Sequence, residues 1–347
     1  MGAQHTELAA ADDPFPRPGP GLQPVEMAAE QLEEALLGGP RRYSRVQAAR
    51  AAGVSLDRCR RIWLALGFAD VDDDATVFTD GDVAALRAWN SLIVSGKIRA
   101  EGEVPHARAI GQTMSRLADW QIREMVTRIG EVAGTDETAR AVGVAELTDA
   151  VLPVVESLQA YTWRRHLVAA AGRIAAVSPD ELSAATMVVG FADIVGYTST
   201  VRHTGINELA VLLESFEENA AETIVSNQGR VVKSLGDEVL FVADTARDAA
   251  EIAVRLSDPG RASHDLPELR VGMALGRVLT RLGDVYGPAV NLASRLTSLA
   301  RPGAVLVDKE LAQALRDETD YRLRVRRPTA VRGYHHLRSW SLRRRAE

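Results

Sequence analysis

The spacing of apolar residues changes character once along this chain, near Ser178-Pro179-Asp180, and that change limits the folds open to it. Before it, apolar side chains recur at three and four positions, as in Met27, Leu32 and Leu36 or Leu117, Ile122, Met125 and Ile129, the period of amphipathic helices. Strand signals there are few. Gly38-Gly39-Pro40, Gly67, Gly96, Gly102 and Pro105 predict a compact all-α domain cut into several short helices. After the change, Ala185 to Ala192 reads as a buried strand and Asn207 to Asn227 as a helix. Gly229 to Ser234 and Glu238 to Ala243 read as strands around a turn at Leu235-Gly236-Asp237. A helix from Asp244 to Leu256 and a strand from Leu269 to Gly276 follow. The order β-α-β-β-α-β predicts an α+β, ferredoxin-like layer of helices on a largely antiparallel sheet.

A length of 347 residues, 46% of them hydrophobic, suffices for two cores. Residues 1–24 carry Pro14, Pro16, Pro18, Pro20 and Pro24 with few large apolar side chains, and read as a disordered tail. The expected organisation is that tail, a helical domain over 25–160, a linking helix over 161–180 and the α+β domain over 181–347. A net charge of -6 provides no overall basic field for nucleic acid. The single cysteine, Cys59, can form no internal disulfide and reads as packing. No apolar run approaches the ~18 residues of a membrane span, and no basic-then-apolar leader opens the chain. These features predict a soluble, cytoplasmic protein.

The chemistry gathers in Phe191-Ala192-Asp193-Ile194-Val195-Gly196-Tyr197-Thr198 and Ser234-Leu235-Gly236-Asp237-Glu238. In the predicted order, the end of the first strand neighbours the central hairpin turn, so Asp193 and Asp237 approach each other. Two hard carboxylates suit Mg²⁺ or Mn²⁺, and paired ions of this kind activate an attacking oxygen and stabilise a leaving one in phosphoryl transfer. The loop Ile194, Val195, Gly196, Tyr197 and Thr198 leads towards a helix whose free N–H groups can receive a polyphosphate.

These motifs, with Gly229-Arg-Val-Val-Lys-Ser-Leu-Gly-Asp-Glu and Gly283-Asp-Val-Tyr-Gly-Pro-Ala-Val-Asn-Leu-Ala-Ser-Arg295, closely resemble the catalytic domain of class III nucleotidyl cyclases. The resemblance implies that Asp193, Asp237 and the carbonyl of Ile194 hold two metal ions per site, which position a ribose 3′-hydroxyl to attack the α-phosphate. It places Lys233 and Asp284 at the base-selecting positions, where lysine and aspartate choose adenine and hence ATP. Independently, an aspartate facing the guanine carbonyl would leave two acceptors opposed. The resemblance makes Asn291 and Arg295 the transition-state pair, one orienting ribose and the other meeting developing phosphate charge. In the family this pair comes from the partner's side of the site, which implies a homodimer with composite sites. Arg332 is the candidate for the triphosphate, with Arg326 and Arg327 as alternatives. Guanylate cyclase is the second reading of the enzyme. The tyrosine side chains of Tyr197 and Tyr286 read as packing, His203 as a solvent-facing residue, and Arg343-Arg344-Arg345 as a solvated tail.

Within the helical part, Tyr43 to Phe68 carries a helix-turn-helix pattern with Arg58, Arg60 and Arg61 on its second helix. Asp70, Asp72, Asp73, Asp74, Asp80 and Asp82 follow directly and would repel a phosphate backbone, so a nucleotide-sensing DNA-binding regulator stays the rival from another class. Arg60-Arg-Ile-Trp-Leu-Ala-Leu-Gly-Phe68, Val77-Phe-Thr-Asp-Gly-Asp-Val83 and Trp163-Arg-Arg-His166 resemble the regulatory domain of mycobacterial pH-responsive adenylyl cyclases. That resemblance implies an autoinhibitory helical domain relieved in acid, with Tyr161 to Val177 as transmission helix. His106 and His166 are available as sensors, as are buried carboxylates.

Overall fold

A computed structural model describes residues 32–134, 136–175, 185–258, 267–331 and 334–345. The Pro-rich tail, the change of pattern at Ser178-Pro179-Asp180, and Arg332 lie outside the described residues. The chain divides into two compact units, Met1–Ala169 and Ala170–Glu347.

The first unit is helical. Ser44 caps α1 (Arg45–Ala52) in a reciprocal bond with Gln47, and Gly53, left-handed at φ 71°, ends it. Ser55 caps α2 (Leu56–Ala65), and Thr79 caps α3 (Asp80–Val94) in a second reciprocal box with Asp82. A single bridge between Tyr43 and Phe78 ties the two starts together. Ala49, Ala52, Cys59, Ile62, Leu86 and Ala107 form the small core, and burial pushes the Cys59 thiol up.

The expectation of short helices fails at α4, which runs 31 residues from Glu103 to Ala133. Pro105 stands in its first turn, where a missing N–H costs nothing, so it opens the helix instead of ending it. Gly111 does not break α4 either; a Cβ there would lie 2.1 Å from the Leu66 carbonyl oxygen, so glycine permits the contact with the end of α2. α5 (Glu137–Glu146) and α6 (Leu152–Ala175) complete the helical series.

The second unit follows the predicted order: β1 (Ala185–Ile194), a short helix α7 (Tyr197–Val201), α8 (Ile206–Ser226), β2 (Gly229–Ser234), β3 (Glu238–Ala243), α9 (Ala246–Leu256) and β4 (Leu269–Arg281). Then come β5 (Asp284–Tyr286), α10 (Pro288–Leu299), β6 (Val305–Val307), α11 (Lys309–Ala314), β7 (Tyr321–Val325), β8 (Thr329–Val331), β9 (Tyr334–Leu337) and β10 (Trp340–Arg344). The main sheet runs β2-β3-β1-β4-β6-β10-β7. It is mixed, because β4 pairs antiparallel with β1 but parallel with β6.

Both faces are covered, which explains the unbroken apolar run of β1. Val188, Ala192 and Ile194 face α8 and α9 in one core, while Met187, Val189 and Phe191 face α10 in the other. α10 lies close on β4: a Cβ at Gly272 would stand 2.1 Å from the Thr297 nitrogen. Arg343 and Arg344 belong to β10, and Arg344 pairs with Glu251 on α9, so the C-terminal arginines are part of the sheet and not a solvated tail.

Candidate active site

β1 delivers Asp193 to the end of the sheet, where it pairs across β3 with Glu238 and across β4 with Arg270. The β2–β3 turn closes beside it. Gly236 adopts φ 73° in that turn, Leu235 N–H donates to the Glu238 carbonyl at 2.7 Å, and Ile194 N–H donates to the Asp237 carbonyl at 2.9 Å. The approach of Asp193 and Asp237 expected from strand order is thus made through main chain.

Asp193 is buried, and its Oδ2 accepts from Arg270 Nε at 2.6 Å. Burial raises its affinity for a proton and the charge of Asp237 adds to this, while Arg270 opposes both. Glu238 is pushed up to about 7 by burial and by the charges of Asp193 and Asp237. Three acidic groups therefore share one partly dry corner with a single guanidinium. Among the described residues no three His, Cys, Asp or Glu side chains close around a common point. A cation here would take part of its shell from main chain, water or substrate, as hard ions in phosphate sites do. The donor chemistry fits Mg²⁺ or Mn²⁺, since the hard carboxylate oxygens of Asp193, Asp237 and Glu238 outnumber the one guanidinium, Arg270, that faces them.

Directly after β1, Gly196 takes φ 75° and starts α7, whose first N–H groups have no acceptor within the helix. Val195, Gly196, Tyr197 and Thr198 thus lie beside Asp193 in one continuous turn. The Tyr197 ring packs against the α8 side of the core.

Lys233 and Asp284 meet through the length of β4. β4 pairs with β1 as far as Val278 opposite Ala185, overshoots, and turns back as β5 through Leu282 and Gly283, both at positive φ. Val285 buries against the same core as Leu240 and Val242, which carries Asp284 to Lys233 on β2. Lys233 Nζ lies 2.5 Å from Asp284 Oδ2, and Val285 N–H donates to Oδ1 at 2.8 Å. Burial works against the charged Asp284, yet the bonds from Lys233 and Val285 hold its carboxyl below the usual range. Tyr286, expected as packing, is exposed next to Asp284.

Asn291 and Arg295 stand one turn apart on the exposed side of α10, opposite buried Ala289, Ala293 and Leu296. Neither side chain has a hydrogen-bond or ion-pair partner among the described residues. Arg326 and Arg327 are exposed beyond β7. Arg270 and Glu238 escaped the sequence reading. Arg270 stands second in an apolar strand, 77 positions from Asp193, and no local spacing signals a partner that distant. Glu238 had one available signal, an acid opening an apolar strand beside Asp237.

In the first unit, the arginines of the helix-turn-helix pattern are engaged. Arg58 pairs with Glu103, Arg60 with Asp70 and Arg61 with Asp57. His106 lies edge-on to Trp89, ring centroids 6.3 Å apart, with Nδ1 3.1 Å from the Gly102 carbonyl. No helix of the described residues is long and apolar enough to cross a membrane.

Residues 180–344 match the adenylate and guanylate cyclase catalytic domain. An adenylate cyclase of Streptomyces coelicolor is 44% identical over 309 residues, covering 87% of this chain and 79% of its own. One from Glutamicibacter nicotianae is 38% identical over 97% of this chain and 87% of its own. A pH-sensitive adenylate cyclase of Mycobacterium tuberculosis is 29% identical over 76% of this chain and 68% of its own.

Proposed function

Because the chain belongs to the class III adenylate cyclases, we propose that it converts ATP to 3′,5′-cyclic AMP and pyrophosphate at sites shared between two copies of itself. One observation carries the shared site. Asp193 is buried at the sheet end, whereas Asn291 and Arg295 face solvent from α10 without a side-chain partner among the described residues.

Asp193 and Asp237, joined by the Ile194 carbonyl, would hold two Mg²⁺ or Mn²⁺ ions. When bound, these supply Lewis-acid activation of the 3′-hydroxyl and charge neutralisation along the triphosphate. Lys233 donates to an adenine ring nitrogen and Asp284 accepts from the amino group, each exchanging its present partner for the base. The N–H groups of Gly196, Tyr197 and Thr198 receive phosphate oxygens, as a helix start does. Asn291 of the second copy holds the ribose, and Arg295 meets the negative charge that grows as the O3′–Pα bond forms and the bond to pyrophosphate breaks. The hydroxyl proton passes to water or to a phosphate oxygen. Arg332 is assigned to the triphosphate by resemblance.

The test is cyclic nucleotide formation by purified full-length protein given ATP or GTP with Mn²⁺. Cyclic AMP from ATP is expected. Its absence would refute the reading, and cyclic GMP in greater yield would turn it to guanylate cyclase.

Control by pH through the helical unit is a second layer, supported by the likeness to a pH-sensitive relative and by His106 beside Trp89. A fragment starting near Pro179 should lose the acid dependence of the full chain. Identical pH profiles would end this part of the proposal. DNA regulation is disfavoured, because Arg58, Arg60 and Arg61 already have acidic partners.

A further inference from the structure

Arginines are concentrated at one end of this chain. Residues 321–347 contain nine arginines and one acid, Glu347, in a protein whose net charge is -6. β7 and β10 place three of them together. Arg322 stands directly opposite Arg343, and Arg324 lies opposite Ser341. Ser341 in turn pairs with Leu306, which packs beneath α10, so this row shares the α10 face of the sheet. Tyr321, Leu323 and Leu342 point to the other face and its core.

Two identical charges directly across a strand pair destabilise a sheet. The molecule does not relieve this one. Arg322, Arg324 and Arg343 are exposed and form no ion pair among the described residues. On the other face, by contrast, Arg344 pairs with Glu251, and Arg247 at the same end of the unit pairs with Asp320. α10 covers β6 and stops there. Leu337 of β9 packs beside α10 against Leu306, and beyond it the last two strands carry the three exposed arginines.

We infer that the α10-side face of β7 and β10 docks on an anionic lipid bilayer through Arg322, Arg324 and Arg343. Strand side chains stand perpendicular to their sheet, so these guanidiniums project from one plane, and a plane of headgroup phosphates meets them without deforming either surface. Guanidinium binds phosphate in paired hydrogen bonds and is weakly hydrated, which suits it to such contact better than lysine. A nucleic acid fits less well: among the described residues no aromatic side chain stands between the three arginines to stack a base. β7 is four strands from β1, ~19 Å at ~4.8 Å per strand, so the surface is separate from Asp193.

The experiment is co-sedimentation of full-length protein with vesicles of phosphatidylcholine alone or mixed with phosphatidylglycerol. The wild type should pellet with the mixed vesicles only, and should be released when salt shortens the Debye length from ~10 Å to ~3 Å. Arg322→Gln, Arg324→Gln and Arg343→Gln together should reduce the pelleted fraction at least fivefold while cyclase turnover without vesicles is unchanged. Should that variant fail to fold, the triple lysine variant, which keeps the charge, should still pellet with the same salt dependence. Failure of the wild type to pellet, or equal pelleting of the folded glutamine variant, overturns the inference. So does Arg-dependent binding to duplex DNA without vesicle binding, or a change from dimer to monomer in the glutamine variant.

Discussion

Arg270 donates from Nε to Asp193 Oδ2 at 2.6 Å, in a row that runs Glu238, Asp193, Arg270 across three strands. The pair is half-exposed on the arginine side, so its value lies less in stability than in setting the charge of the corner.

Removing that guanidinium changes when the corner ionises. Arg270 lowers the proton affinity of both Asp193 and Glu238, so Arg270→Gln raises it. The acid limb of the activity profile should move to higher pH by about one unit, read from kcat/KM between pH 5 and 9.

Glu238 makes the opposite kind of prediction, for stability. Its folded value of about 7 exceeds its ordinary 4.5, so the folded state holds this proton more tightly than the unfolded one. Its stabilising contribution is complete below pH 4.5 and is lost as pH rises towards 7 and beyond. Glu238→Gln should therefore stabilise at pH 8, by on the order of 1–2 kcal/mol after screening, and have little effect at pH 4.5. Urea unfolding at the two pH values measures the difference.

The bond between Lys233 and Asp284 predicts a selectivity change. Lys233→Ala removes the proposed donor for adenine and takes from the Asp284 carboxylate its cationic partner. Turnover per KM for ATP should fall on the order of 100-fold, with a smaller change for GTP. Equal loss on both substrates would place the pair outside base selection.

A shared site has an arithmetic signature. Asp193→Ala and Asn291→Ala chains should each be nearly inactive alone. Mixed, they should recover about a quarter of wild-type specific activity, since random exchange makes half the dimers mixed and each rebuilds one site in two. No recovery on mixing would argue for sites contained within one chain.

Packing supplies a test independent of chemistry. Gly272→Ala forces a Cβ to 2.1 Å from the Thr297 nitrogen, main chain that α10 cannot easily withdraw. A loss of about 2–3 kcal/mol is expected. Gly205→Ala, with open space around it, is the control and should be close to neutral.

Strand order, the approach of Asp193 to Asp237 and the one-turn spacing of Asn291 and Arg295 were legible because each depends on local period or on a topology with few alternatives. The length of α4 was misread because Pro105 carries the same letter in a first turn as in a loop, and only main-chain geometry separates the two. The C-terminal arginines were misread for a related reason: a run of charge has no period of its own, and pairing with β7 made it a strand.

By itself, the order of residues determined which elements form and which chemical groups stand at their ends, since propensity, capping and apolar period act within a few positions. Tertiary structure alone decided which distant groups meet. Arg270 reaches Asp193 because β4 lies beside β1, Asp284 reaches Lys233 because β4 overshoots and folds back, and Arg322 faces Arg343 because β10 returns to the edge. Those partners are set by sheet register and by the core on each face, and such forces leave no mark on neighbouring letters.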